Sequence, residues 1–201
     1  FVEVLTGIAR GLQERLRNLL ARPTIASKRW IWEQYDHTVR AGTVKGPGQA
    51  DAAVVRLPSD KLRPTTSNRG VAITVDVNPR FVGLDPHRGA ALAVIESARN
   101  LVCTGAEPKA ATDCLNFGNP EVPEVMWSFA RAVEGMGEAC AALDTPLVSG
   151  NVSLYNETDG QPILPTPTVG MVGIVKDLDR TVGLGLRAES PELLVLGWPD
   201  A

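Results

Sequence analysis

Between residues 52 and 175 of this 201-residue chain, apolar runs of strand length alternate with two stretches of helical periodicity, and that alternation restricts the fold more than any single motif. Residues 52–57 and 70–76 read as strands, separated by a polar, turn-prone stretch over 58–69. A helix over 88–104 is expected to bury Ala91, Val94, Ile95, Ala98 and Val102 and to end at a left-handed Gly105. A strand carrying Asp113 follows. The next helix, over 123–143, has a core stripe of Met126, Phe129, Ala130, Val133, Met136 and Cys140. Strands over 146–152 and 168–175, with a loop over 162–167 between them, complete an α+β layer in which two helices cover one face of a sheet.

Ahead of this layer, Val4, Ile8, Leu12, Leu16, Leu19 and Leu20 recur at helical spacing until Pro23 ends the helix. A shorter helix over 28–40 is expected, its Trp and Tyr filling core space, and then a mobile glycine-rich loop over 42–48. After 177 the chain reads as a strand and turn over 191–198.

The composition excludes several classes of partner. Hydrophobic residues make up 44% of the chain, enough for a substantial core, and the formal net charge is only −3. Lys and Arg are scattered and number 20 against 23 acids, so no nucleic-acid surface is expected. No apolar run reaches the length of a membrane span, and residues 1–20 do not read as a signal peptide. Cys103, Cys114 and Cys140 have neither metal-ligand spacing nor an even count, and are expected to be buried reduced thiols. Those features set a cytoplasmic expectation, in which Asn151-Val152-Ser153 and Asn156-Glu157-Thr158 meet no glycosylation enzyme.

The chemistry concentrates in two strand ends. Leu147-Val148-Ser149-Gly150-Asn151-Val152-Ser153-Leu154-Tyr155-Asn156-Glu157 runs from an apolar strand into short polar side chains. Gly150 lets a ligand approach the backbone, Asn151 offers a carboxamide oxygen to a hard cation, and Ser153 offers a hydroxyl to phosphate or sugar. The structural alternative is a junction whose Asn and Ser bond only their own backbone. Asp113, in Thr112-Asp113-Cys114-Leu115-Asn116-Phe117-Gly118-Asn119-Pro120, is a carboxylate in an apolar strand, costly to bury without a cation or donors. Asp76, at a strand end, suits either a metal or a turn cap. His87 reads as a solvated residue at the start of a helix. No Walker loop is present, and Gly183-Leu184-Gly185 alone makes no dinucleotide fingerprint.

Together with Arg22-Pro23-Thr24-Ile25-Ala26-Ser27-Lys28-Arg29-Trp30, Glu33-Gln34-Tyr35-Asp36-His37 and Ala98-Arg99-Asn100-Leu101-Val102-Cys103, these motifs closely resemble the second half of the small-type synthetase subunits of phosphoribosylformylglycinamidine synthase, from about residue 19 to about 175. The resemblance implies an α+β domain of the AIR-synthase (PurM) N-terminal type. In that fold a mixed sheet is covered by helices on one face and pairs sheet to sheet on the other into a barrel-like core. It implies a helical lead over 1–26, an ATP-binding domain over 27–176 and the start of a following domain over 177–201.

The activity implied is an ATP-dependent ligase step of purine biosynthesis. An amide oxygen of formylglycinamide ribonucleotide is phosphorylated, and ammonia that a glutaminase subunit releases from glutamine displaces the phosphate. A small accessory subunit completes such a complex. By resemblance, Asp113 and Gly150 contact ATP, Asn151 holds Mg2+ and Ser153 contacts the substrate. Such chemistry relies on positioning and charge neutralisation more than on covalent help.

One departure limits what the chain does alone. The family's general base lies in a His-rich motif of the subunit's first half, and the corresponding stretch here, Val77-Asn78-Pro79-Arg80-Phe81, has no histidine. No catalytic residue is therefore expected in this chain, and no turnover in isolation. The alternative is a non-catalytic module that pairs with the first half or merely holds a nucleotide. With that half absent, a homodimer imitating the internal pairing is expected.

Overall fold

The structure, a computed structural model, describes residues 2–58, 68–186 and 194, with side chains described from residue 11 onward. The chain divides into two compact units, Phe1–His37 and Thr38–Ala201. In the first, α1 (Val2–Leu20) forms where the apolar spacing places it. The helix expected over 28–40 is a single turn, α2 (Arg29–Trp32), with no buried residue. A turn that short has no packing to extend it. Trp30 and Tyr35 are exposed and fill no core, while Trp32 meets His37 edge-on with ring centroids 5.3 Å apart.

The second unit is built on a six-stranded sheet. The stretch expected as a loop contains β1 (Thr43–Lys45), which pairs antiparallel with β2 (Ala53–Arg56), and Val44 packs against the core. β3 (Gly70–Asp76) has the bounds its alternation predicts. An unanticipated helix, α3 (Pro79–Leu84), starts where Pro79 follows the Asn78 cap, whose Oδ1 accepts from the Phe81 N–H at 3.3 Å. Asp85 then caps α4 (Pro86–Thr104) by accepting from the Arg88 N–H, and Gly105 ends it at φ 95°. β4 (Glu107–Asn116), α5 (Pro123–Ala142), β5 (Leu147–Ser153), the small hairpin β6 (Glu157–Thr158) and β7 (Gln161–Pro162), and β8 (Thr166–Val175) follow.

The strand order is β1-β2-β3-β8-β4-β5, antiparallel throughout except for the parallel pair β4–β5. β5 carries one extra residue near its start: Ala111 pairs with Leu147 and Thr112 with Ser149, so Val148 is bulged.

One face of the sheet is covered by α4, and α5 packs on α4. Val54, Ala72, Val169, Met171, Val175 and Leu115 point into this layer with Leu101 of α4. The buried helix faces differ from those the apolar spacing indicates. In α4 the buried residues include Ala90, Ala93, Ser97 and Leu101 as well as Val94 and Ala98, while Ile95 and Val102 are exposed and Ala91 is half-buried. In α5 they are Ala132, Gly135, Met136, Ala139 and Cys140. Met126, Ala130 and Val133 are exposed, and Phe129 is half-buried. Close approach of the two helices explains the choice of small residues. A Cβ at Gly135 would overlap the backbone carbonyl of His87.

The opposite face is open, with Val55, Ile73, Val75 and Val172 exposed, Val75 to 70%. Cys140 alone of the three thiols is buried; Cys114 is half-buried, Cys103 is exposed and all three are free. His87 is no solvated residue: its Nε2 lies 3.1 Å from Glu138 Oε2 on α5. The strand expected over 191–198 lies outside the described residues apart from Leu194, as does most of the turn over 58–69.

Candidate functional site

Parallel pairing of β4 with β5 brings the two strand-end motifs side by side. Asp113 stands opposite Gly150, Cys114 opposite Asn151 and Asn116 opposite Ser153. Both strands deliver their carboxyl ends to the same edge of the sheet, where ligands of parallel α/β units bind. The four residues singled out from the sequence are therefore neighbours, although 37 positions separate each motif from its partner.

They do not share one face. Asp113 lies between Ala111 and Leu115 and opposite Val169, on the helix-covered side. Gly150 is turned the same way, and a Cβ there would overlap the Asp113 carboxylate. Glycine at 150 thus makes room for Asp113. Thr112, Cys114 and Asn116 of β4 and Ser149, Asn151 and Ser153 of β5 line the open side. β5 is the last strand of the sheet, so a ligand at its edge can reach both sets.

Burial raises the carboxyl pKa of Asp113 above its ordinary value, opposed by the hydrogen bond from the Asn151 backbone N–H. Among the described residues no ion pair compensates it. A half-buried strand carboxylate held by one backbone N–H and no ion pair is a candidate functional residue. Asp76 is different: its oxygens accept from Ser97 Oγ at 2.8 Å and Asn100 Nδ2 at 2.9 Å, tying β3 to α4. That geometry is a structural anchor.

On the open side, Thr112 Oγ1 and Ser149 Oγ share a hydrogen bond of 2.7 Å, and Cys114 Sγ donates to Asn151 Oδ1 at 3.3 Å. No group of three or more His, Cys, Asp or Glu among the described residues could hold a metal. Asn151 can offer a cation one neutral oxygen, which suits a cation balanced by phosphates and water more than by protein carboxylates.

Sequence reasoning gave Tyr155 and Asn156 no role, yet they fix the end of β5. The Tyr155 N–H donates to Gly118 O at 2.9 Å and the Asn156 N–H to Phe117 O at 3.1 Å. Asn156 Nδ2 donates to both Phe117 O and Ser153 O at 2.9 Å, and Ser153 Oγ donates to Asn156 Oδ1 at 3.1 Å. Tyr155 is held at φ 57°, a strained conformation for a non-glycine residue. The signal in the sequence was an Asn three residues beyond a Ser, the spacing of a local side-chain loop closure. A cleft of about 940 Å³ opens beside this end of the sheet, bounded by Phe117, Leu84, Pro86, Trp127, Arg131 and Leu164. None of Asp113, Gly150, Asn151 and Ser153 lines it.

This arrangement, a mixed sheet with helices on one face and polar side chains on both faces of two parallel strands, defines an α+β domain. Residues 49–175 match the family of AIR synthase related proteins, N-terminal domain, and the chain belongs to that family. It is 59% identical over 186 residues to the phosphoribosylformylglycinamidine synthase subunit PurL of Anaeromyxobacter sp. (strain Fw109-5), covering 92% of this chain and 24% of that protein. It is 53% identical over 182 residues to the same subunit of Moorella thermoacetica, covering 90% and 24%. The chain thus spans about a quarter of the length of the curated relatives it matches. Among solved structures, PurLQS from Thermotoga maritima superposes with a TM-score of 0.68 at 36% identity over 78% of this chain and 25% of that one. PurL from Thermotoga maritima complexed with ATP, and the same protein complexed with FGAR, each give 0.63 over 75% of this chain and 23% of theirs, at 36% and 37% identity.

Proposed function

We propose that this chain is the part of an ATP-dependent phosphoribosylformylglycinamidine synthase that carries one side of its nucleotide and substrate site. The observation that carries the reading is the register of β4 with β5, which sets Asp113 beside Gly150 on one face of the strand pair and puts Asn151 and Ser153 together on the other. Asp113 and Gly150 contact ATP, Asn151 holds Mg2+ and Ser153 contacts formylglycinamide ribonucleotide. Bound Mg2+ supplies charge neutralisation to the phosphates. The chain's own part is to hold a carboxylate over a glycine on one side of β5 and to present uncharged polar groups on the other. Glutamine-derived ammonia comes from a glutaminase subunit, and a small accessory subunit joins the complex, in a cytoplasmic setting. No helix among the described residues is long and apolar enough to cross a membrane.

The domain with this role spans 27–176, and residues 49–175 of it match the family. The open, partly apolar sheet face supports pairing with the first half of the same subunit and, for this chain alone, with a second copy. That exposed face also favours a second reading, a non-catalytic pairing module. Calorimetric titration with ATP and Mg2+ of this chain and of Asp113→Ala tests the first reading: binding to the parent that the variant loses supports it. In the full-length protein, Asn151→Asp should alter the rate and its metal dependence. An unchanged profile leaves the pairing module.

A further inference from the structure

Ser153 carries a hydrogen-bond direction that its surroundings decide, and the first step is the orientation of Asn156. The Asn156 Nδ2 lies 2.9 Å from each of two backbone carbonyl oxygens, those of Phe117 and Ser153. Carbonyls only accept, so the amide nitrogen must face them; a flipped carboxamide would set its oxygen against two others. Oδ1 therefore faces Ser153 Oγ, 3.1 Å away. That oxygen also only accepts, and the serine hydroxyl proton must point at it. The proton of Ser153 is thus committed inside the protein, and what the hydroxyl still offers is its lone pairs.

We propose that Ser153 recognises a hydrogen-bond donor of the substrate, a ribose hydroxyl or an amide N–H, and not a phosphate, and that Asn156 is the positioning residue that imposes this choice. Phosphate monoester oxygens near neutral pH are predominantly deprotonated acceptors, a poor match to those lone pairs. The loop supplies the rigidity the choice requires. Backbone bonds from Tyr155 to Gly118 and from Asn156 to Phe117 clamp it to the end of β4, and Tyr155 is held in the left-handed region to make them. The inference deepens the proposed contact between Ser153 and formylglycinamide ribonucleotide and rests on that reading.

The test uses the full-length protein and measures equilibrium binding of three kinds of ligand to the parent and to Ser153→Ala. The ligands are formylglycinamide ribonucleotide, its analogues with one donor removed (each ribose hydroxyl replaced by hydrogen, or an amide N-methylated), and the compound without its phosphate. Loss of one neutral hydrogen bond weakens binding about three- to tenfold. One donor-deleted analogue should show that loss with the parent and none with Ser153→Ala. Asn156→Ala should collapse the same discrimination between substrate and analogue, where a purely structural loss would weaken both equally. If the coupling instead maps to the phosphate, the direction assigned to Ser153 is wrong while its contact with substrate stands. If Ser153→Ala binds every ligand as the parent does, the substrate contact itself fails and this inference with it. The serine cycle decides the matter even if Asn156→Ala does not fold.

Discussion

Replacing Gly150 by alanine sets two opposing effects against each other, and the structure decides which wins. Gly150 is not among the residues with positive φ, so alanine can adopt its backbone. By restricting the unfolded chain it should then stabilise the fold by about 0.4–1 kcal/mol. The added Cβ, however, falls on the carboxylate of Asp113. To move away, Asp113 must leave its rotamer, at about 0.5–1.5 kcal/mol. It also gives up the bond from the Asn151 N–H; a charge-assisted bond contributes about 1.5–3 kcal/mol, and the lower end applies to this partly solvated group. Gly150→Ala should therefore destabilise the chain by about 1–2 kcal/mol. In an Asp113→Ala background the obstacle is gone, and the same substitution should stabilise it by about 0.4–1 kcal/mol. Urea unfolding followed by circular dichroism on the four proteins of this cycle measures the coupling directly. Equal destabilisation in both backgrounds would refute the claim that glycine is required at 150 because of Asp113.

Asp113→Asn should stabilise the chain near neutral pH. Because burial raises the folded-state pKa, the aspartate's contribution is fully present below its ordinary value of 3.8 and is lost as pH rises through the folded value. The advantage of Asn should be evident at pH 7 and vanish near pH 3 in thermal unfolding. Asp76→Ala removes the acceptor of Ser97 and Asn100 and should cost about 1–3 kcal/mol by urea unfolding, with added Mg2+ shifting parent and variant alike. An Mg2+ shift seen only in the parent would make Asp76 a metal ligand after all. Light scattering at micromolar concentration should report a dimer for this chain and a monomer for Val75→Lys on the open sheet face; a monomeric parent removes the pairing proposal.

Some of this was legible in the sequence because the signals are local. The alternation of residues 70–76 and the glycine at 105 each mark their own position, and β3 and the end of α4 fall there. Helix faces were less legible. Spacing of large apolar residues points to Ile95, Val102, Met126 and Val133, yet the close packing of α4 on α5 selects Ala90, Ala93, Ala132 and Gly135. The close approach at Gly135 leaves no room even for a Cβ there, and small residues carry little periodic signal. Of the site, the residue types were readable and their juxtaposition was not, because pairing between β4 and β5 is long-range. Nor did the sequence mark the division of the site between two faces, or the role of Asn156, which depends on where two backbone carbonyls point.

The bulge at Val148 has a consequence for how such motifs are compared between proteins. Counted forward from Leu147 without the extra residue, Asn151 would stand opposite Leu115 and Gly150 opposite Cys114, exchanging the two sides of the strand. The phase of Ser149-Gly150-Asn151-Val152-Ser153 is therefore set by a backbone irregularity upstream and not by its own five residues. An identical pentapeptide on a strand lacking the bulge would aim its carboxamide and hydroxyls under the helices and its glycine at the open sheet. A match of letters carries the chemistry of this site only together with the spacing that precedes it.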